Sequence, residues 1–382
     1  MSKVAVVLNA AAELDEEEQL VARRIAGVLT GAGAELFIGG PAGSGWEVGL
    51  AGRRFDEAYP SRALRRASLE STMSNVGRSP CGCGPPGIAQ SSGVIENAWL
   101  ESAGGGSTAL EQAIRDGDYR RVVIAGLTSE LSVSLIEHLG SKAVVIPLRT
   151  PRLANFPRTT RSLASAGSVL MVRSRESSDA GYAGDNLRFI GFALRAGLNA
   201  PVDPPHGVPP NPFVLVIGRW SHPVLGARLR RRAARLAREI HARSTTKVVL
   251  LTEEFIRPGM WPVELEVRAA GSRRDLWRWM TYASVVIDLD RWRYFGRDAV
   301  EAMMCGTPVL VPENSAAHDH VSVCGGGFWS RNQSDLVQMV DTLVRDDRLR
   351  LRMSQYTKER ARSLFELEPF EERLMSAAMG RG

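Results

Sequence analysis

Residues Arg291 to Pro312 read RWRYFGRDAVEAMMCGTPVLVP, and the division of this run into turn, helix, glycine stop and strand decides the fold. Phe295 and Gly296 lead into Asp298-Ala-Val-Glu301, which has the spacing of a capping box with Asp in place of Ser or Thr. Ala299, Val300, Met303 and Met304 supply an apolar helix face, and Cys305-Gly306 closes it where glycine takes positive φ. Thr307-Pro308 breaks the chain. Val309 to Val311 then runs on as an uninterrupted apolar strand, the kind buried on both faces of a parallel sheet. A helix start beside a glycine offers backbone N–H groups to a phosphate. Glu301, one turn inside, either completes the cap or accepts hydrogen bonds from sugar hydroxyls; spacing alone favours the cap.

Strand and helix alternate on both sides of this run. Lys3 to Asn9 is an apolar strand; Leu20, Val21, Ile25, Val28 and Leu29 follow at helical spacing, and Glu35 to Ile38 is the next strand. No glycine-rich phosphate fingerprint follows the first strand, so a dinucleotide-binding domain is not supported. Further strands are expected at Arg121–Ala125, Ala143–Pro147, Ser168–Val172 and Leu187–Phe192, and Met73–Gly93 reads as a long Gly/Pro/Ser-rich loop. Pro201, Pro204, Pro205, Pro209, Pro210 and Pro212 mark a linker that suits neither helix nor central strand.

A second series opens with the strand Phe213 to Gly218. In the helix after it, Leu225, Leu229, Ala233, Leu236 and Ile240 share one face, and Arg228, Arg230, Arg231, Arg232, Arg235 and Arg238 fall on the other. Strand Lys247–Thr252, helix Arg273–Thr281 and strand Ala283–Leu289 lead to the opening run, and three helices close the chain. The expected class is α/β, with two doubly wound domains facing a cleft. Their bounds are 1–200, a linker at 201–212, 213–365, and a terminal helix within 366–382.

At 382 residues, with 44% hydrophobic and 24% charged, the composition is that of a soluble globular protein of two domains. No apolar run is long enough to span a bilayer, and the N-terminus turns acidic too soon for a signal peptide, so the expected location is cytoplasmic. The net charge of +6 is carried almost wholly by arginine and suits anionic ligands such as nucleotide-sugars or lipid head groups. Four cysteines are too few for a disulfide framework in a chain of this length.

Phe295-Gly296, Glu301-Ala302-Met303 and Cys305-Gly306-Thr307-Pro308-Val309 together resemble the donor-sugar motif of the retaining family-4 glycosyltransferases (glycosyl transferases group 1), E-G-F-G-x-x-x-x-E-A-M-A-x-G-x-P-V. Arg293 stands where the first motif Glu would be, and Tyr294 replaces the first Gly. Gly218-Arg219 matches the family's G-R, whose arginine binds the donor pyrophosphate; a guanidinium at a strand's carboxyl end suits a bidentate phosphate contact.

The resemblance implies the B-type glycosyltransferase fold of two Rossmann-like domains. It also implies a UDP- or GDP-sugar donor held by the second domain, and retaining hexose transfer with no required metal and no cofactor beyond the donor. The leaving phosphate would be stabilised by cations and helix N-termini. It makes Arg219 and Glu301 the residues of the chemistry, Glu301 on the ribose. Gly218, Arg293, Tyr294, Phe295, Gly296 and Arg297 join them around the donor, and the terminal helix would pack back across the first domain. Leu225 stands where the family places a second phosphate-binding lysine, and Arg293, Arg297 or Arg228 would have to replace it. Family histidines of the first domain are replaced by Leu127-Thr128 and Arg149. There Arg149 and Arg152 would serve an anionic acceptor or the donor phosphate, and Thr128 or Ser129 would offer a hydroxyl.

Two other functions compete with transfer. A degenerate relative would bind a nucleotide-sugar or a partner without turnover, as the departures at Arg293 and Leu225 suggest. Nucleic-acid binding through the arginine-rich helix is not expected, since its other face is a full apolar stripe and no aromatics interleave. His318 and His320 flank Asp319 without an evident third ligand, and read as residues of a loop or helix start rather than a metal site. Trp277 and Trp279 cannot share a helix face, so at least one is core, whereas Trp292 and Tyr294 are candidates for a nucleobase or hexose contact. The acceptor is open among glycan, protein, lipid and small molecule, and peripheral membrane contact is compatible with the charge.

Overall fold

A computed structural model of the chain describes residues 4–9, 16–32, 34–39, 112, 114–126, 130–148, 157–173, 182–194, 203–209, 212–220, 222, 225–252 and 265–379. The expected loop at Met73–Gly93, and Leu127, Thr128, Ser129, Arg149 and Arg152, lie outside the described residues.

The first unit comprises β1 (Val4–Asn9), α1 (Glu16–Gly31), β2 (Glu35–Gly39), β3 (Arg121–Ala125), α2 (Glu130–Leu139), β4 (Ala143–Ile146), α3 (Pro157–Ser165), β5 (Ser168–Met171) and β6 (Leu187–Phe189). Its strands pair in parallel in the order β2-β1-β3-β4-β5-β6. Side chains alternate across a strand, so each strand feeds two cores. Val4, Val6 and Leu8 of β1 join the core under α1, while Ala5 and Val7 join the core on the opposite face. Covering both faces is what makes these strands read as continuous apolar runs.

The second unit comprises β7 (Phe213–Ile217), α4 (Gly226–Ser244), β8 (Lys247–Thr252), β9 (Leu265–Ala269), α5 (Arg273–Tyr282), β10 (Val285–Asp288), α6 (Arg297–Cys305) and β11 (Val309–Pro312). It continues with α7 (Ala316–Cys324), β12 (Gly327–Ser330), α8 (Gln333–Arg345), α9 (Asp347–Phe365) and α10 (Leu367–Met379). Its sheet is parallel in the order β12-β11-β10-β7-β8-β9. The chain therefore winds one way from β7 to β9 and the other way from β10 to β12, and the reversal lies between β7 and β10. A crevice at the carboxyl ends of two such strands is where open α/β sheets take ligands.

The expected α/β architecture of two doubly wound units holds. Three elements, β9, α7 and β12, go beyond the sequence reading, and the strand expected at Leu187–Phe192 stops at Phe189. The residues past that stop leave the sheet for the other unit. Phe192 lies edge-on to Phe295 at 5.3 Å and to Phe370 at 6.3 Å, and the Leu194 N–H donates to the Phe365 carbonyl at 2.7 Å. Helix α10 lies against α1 and β3 of the first unit, and Arg373 Nε donates to the Ile190 carbonyl at 2.8 Å. Arg173, just past β5, comes within 3.9 Å of Asp319 on α7. None of the described helices is long and apolar enough to cross a membrane.

Candidate functional site

The start of α6 differs from the expected capping box. Gly296 is the N-cap, in the left-handed region at φ 77°, and no side chain caps the helix. The helix begins at Arg297, which places Asp298 and Glu301 inside it, where both carboxylates turn to arginines instead of backbone N–H groups. Glycine is required at 296: a Cβ there would lie 2.9 Å from the Ala317 Cβ and backbone N, so the starts of α6 and α7 approach more closely than any side chain allows. At the other end the Gly306 N–H donates to Met303 and the Thr307 N–H to Ala302, a Schellman closure with Gly306 at φ 87°.

Arg219 follows β7 and Asp290 follows β10, one on each side of the sheet reversal. They form a two-pronged ion pair, Nε on Oδ2 and Nη2 on Oδ1, the latter at 3.2 Å. Asp290 is the first carboxylate of an alternating row. Arg293 reaches Asp290 Oδ2 at 3.5 Å and Asp298 Oδ2 at 2.6 Å. Arg273, the first residue of α5 behind a Ser272 cap, joins Asp298 to Glu301. Arg297 Nε meets Glu301 Oε1 at 2.6 Å, and the Trp277 indole N–H donates to Glu301 Oε2 at 2.8 Å. The row thus reads Arg219, Asp290, Arg293, Asp298, Arg273, Glu301, Arg297.

Burial sets the electrostatics of this row. Burial alone would raise the Asp298 pKa, but Arg273 and Arg293 outweigh it and hold the carboxyl far below its ordinary value. Asp290 is lowered too, because the Arg219 hydrogen bond and the Arg293 charge overcome its burial. Asp288, at the end of β10, goes the other way. Burial pushes it up to about 8, with Asp298 and Asp290 adding to the rise against the pull of Arg293. Its Oδ1 accepts the Asp290 N–H at 2.9 Å, which fixes the turn carrying Asp290 into the crevice. With Asp288 neutral, the row holds four arginines against three carboxylates.

Residues 263–360 match the family model described as glycosyl transferases group 1. The matched span lies within the second unit, from just before β9 to within α9. Solved structures of the same architecture include a glycosyltransferase from Rickettsia africae, 12% identical, covering 99% of this chain and 98% of that one, with a TM-score of 0.62. HepE from Anabaena, solved with UDP and glucose, is 14% identical over 97% of this chain and 98% of its own, with a TM-score of 0.59. Sucrose-phosphate synthase from Thermosynechococcus elongatus is 14% identical over 100% and 98%, with a TM-score of 0.55. At these identities the likeness concerns the fold, which is the B-type glycosyltransferase fold. No curated protein sequence matches the chain.

The matched span contains every member of the charged row except Arg219, which precedes it. Among the residues singled out from sequence, Arg219, Arg293, Arg297 and Glu301 come together here. Glu301 is 0% exposed and its two oxygens already take three protein donors, so a ligand reaches it only if one of them turns aside. Phe295 is likewise fully buried, packed on Phe192, His320 and Phe365, and can offer a ligand only its backbone. Gly218 lines the exit of β7 next to Arg219. Leu225 opens α4 half-buried against the core.

The aromatic candidates divide. Trp279 is core, edge-on to Phe213 at 6.1 Å, while Trp277 holds Glu301. Tyr294 lies under the Arg173 guanidinium at 5.4 Å, and Trp292 under those of Arg228 and Arg291 at 5.5 and 4.5 Å. His318 and His320 lie near the start of α7, the helix-start alternative rather than the loop, and both are buried. His318 Nδ1 meets the Glu313 carbonyl at 2.6 Å and His320 Nε2 the Phe295 carbonyl at 2.8 Å. Burial lowers the His320 pKa to about 3, so its ring is neutral and donates through Nε2.

The sequence reading missed Arg273, Asp288, Asp290 and the part played by Asp298. Only one local signal pointed to any of them: the run Val285-Val-Ile-Asp-Leu-Asp290 ends a buried strand in two acids.

Proposed function

We propose that the chain transfers a hexose from a UDP- or GDP-sugar to an acceptor, with retention and without a required metal ion. The observation that carries this reading is the placement of Arg219 and the start of α6 beside the crevice where the second sheet reverses. A guanidinium and a helix N-terminus side by side suit a diphosphate, and they stabilise the charge that grows on it as the sugar departs. The row's excess of one arginine over its carboxylates favours an incoming anion.

In this reading residues 213–365 hold the donor and residues 1–200 face the acceptor. Arg219 exchanges Asp290 for phosphate, Glu301 takes the ribose as Arg297 turns, and Gly218, Arg293, Tyr294, Phe295 and Gly296 shape the rest of the pocket. HepE was solved with UDP and glucose, which makes a UDP-sugar the first donor to try. Nucleotide-sugars of this class are made in the cytoplasm, and that is the proposed place of action.

A thermal-shift panel of UDP, GDP, ADP and their sugar conjugates, run on the parent, Arg219→Ala and Glu301→Ala, tests the reading together with an assay for released nucleotide. Stabilisation by one nucleotide, lost in both variants and accompanied by product, supports it. No shift with any nucleotide would sink it. A second reading, binding without turnover, draws on the pairing of Arg219 with Asp290 and the filled coordination of Glu301. A shift without product under any acceptor would favour that one.

A further inference from the structure

Helix α4 buries Leu229, Ala233, Leu236, Ala237 and Ile240 and turns a line of cations outward. Arg228, Arg231, Arg235 and Arg238 are exposed at spacings of three, four and three, which sets them in one stripe about 15 Å long. Among the described residues none of these four has a carboxylate partner. The one acid on α4, Glu239, takes the Gln333 side-chain amide at 2.7 Å. On neighbouring α8, Asp341 is already shared by Arg243 and Arg345. Arg232 flanks the stripe, and Arg291 adds a charge beside Arg228, both guanidiniums lying over Trp292. Arg228, Arg232 and Arg291 are crowded: burial lowers the Arg232 pKa, and repulsion from Arg291 and Arg228 lowers it further. Uncompensated arginines on one straight face raise the local potential and favour an extended polyanion over a single small ion.

We propose that the outer face of α4 docks the protein on an anionic lipid surface. Charge complementarity selects that partner, and the shape of the face agrees. A single convex helix meets a plane along its length, the stripe carries no aromatic on which bases would stack, and Trp292 beside it already lies under two guanidiniums. Helix α4 is the next element after β7 and starts on the side of that strand's carboxyl end, so docking sets the crevice near the head groups. The inference does not depend on which donor the crevice takes.

Vesicle co-sedimentation of the full chain, with phosphatidylcholine alone and with phosphatidylglycerol added, tests it. Binding is expected only with the anionic lipid and is expected to be lost in high salt. Arg231→Glu, Arg235→Glu and Arg238→Glu together should weaken partition by about a hundredfold or more, and the three Arg→Lys changes should restore it. The melting temperature, unchanged in both triple variants, separates lost docking from lost folding. Absence of vesicle binding, binding that survives the triple Glu change, or tighter binding to duplex DNA than to vesicles at equal salt would each overturn the proposal.

Discussion

Asp288 is 1% exposed, and its position at the end of β10 couples the site to pH. The folded protein keeps a proton on it up to about 8, whereas its ordinary value is 3.8. A raised carboxyl contributes stability in full below the lower value and loses it as pH climbs to the upper one. Asp288→Asn keeps the acceptor for the Asp290 N–H and never ionises. It is therefore expected to match the parent in acid and to outlast it above pH 8, and urea melts at a series of pH values check this. A gap that stays flat with pH would show that Asp288 ionises freely in the fold. The neighbouring Asp298 has the opposite dependence, since its depressed carboxyl loses stability only as pH falls. Asp298→Leu leaves Arg293 and Arg273 each short of a buried partner and should cost about 3–5 kcal/mol. Adding Arg293→Met should recover part of that loss, and a double-mutant cycle reads the recovery as coupling. Strictly additive losses would mean that the two side chains do not support one another.

Helix α6 shows where sequence reading succeeds and where it stops. Its apolar face and its Cys-Gly stop are local signals, so its existence and its Gly306 end were legible, whereas its start was expected at an Asp298 cap and lies at Gly296. Asp298 and Glu301 have the spacing of a cap, but spacing does not say whether a carboxylate turns to backbone or to a distant cation. Arg273 lies in α5, and ion pairing between elements leaves no period in the chain. The two-layered cores of β1 and β7 were legible for the opposite reason, since burial on both faces writes an unbroken apolar run. Short α7 was obscured by its polar His-Asp-His centre. Gly296→Ala tests the close approach of α6 and α7. Its strained φ and the contact with Ala317 should cost about 1–3 kcal/mol and lower the thermal midpoint, with nucleotide-induced stabilisation falling alongside. An unchanged midpoint would show that the two helix starts separate freely.

Across the whole molecule, Phe192 from the first unit meets Phe295 and Phe370, and Phe295 in turn meets Phe365 at 5.9 Å. Phe192→Ala should cost about 3–5 kcal/mol and resolve unfolding into two calorimetric transitions as the units lose their common core. One sharp transition at a merely lower temperature would show that other contacts couple them. The packing of α10 on α1 and β3 has a further consequence, concerning synthesis. Val6 and Leu8 leave the ribosome long before Phe370, Leu374 and Ala378, with which they share a core. During translation the apolar flank of the first sheet must wait, covered only in part by α1, until α10 has been made. Nascent protein is therefore exposed to aggregation until α10 arrives, and its yield in the cell depends on whatever shields that flank in the meantime.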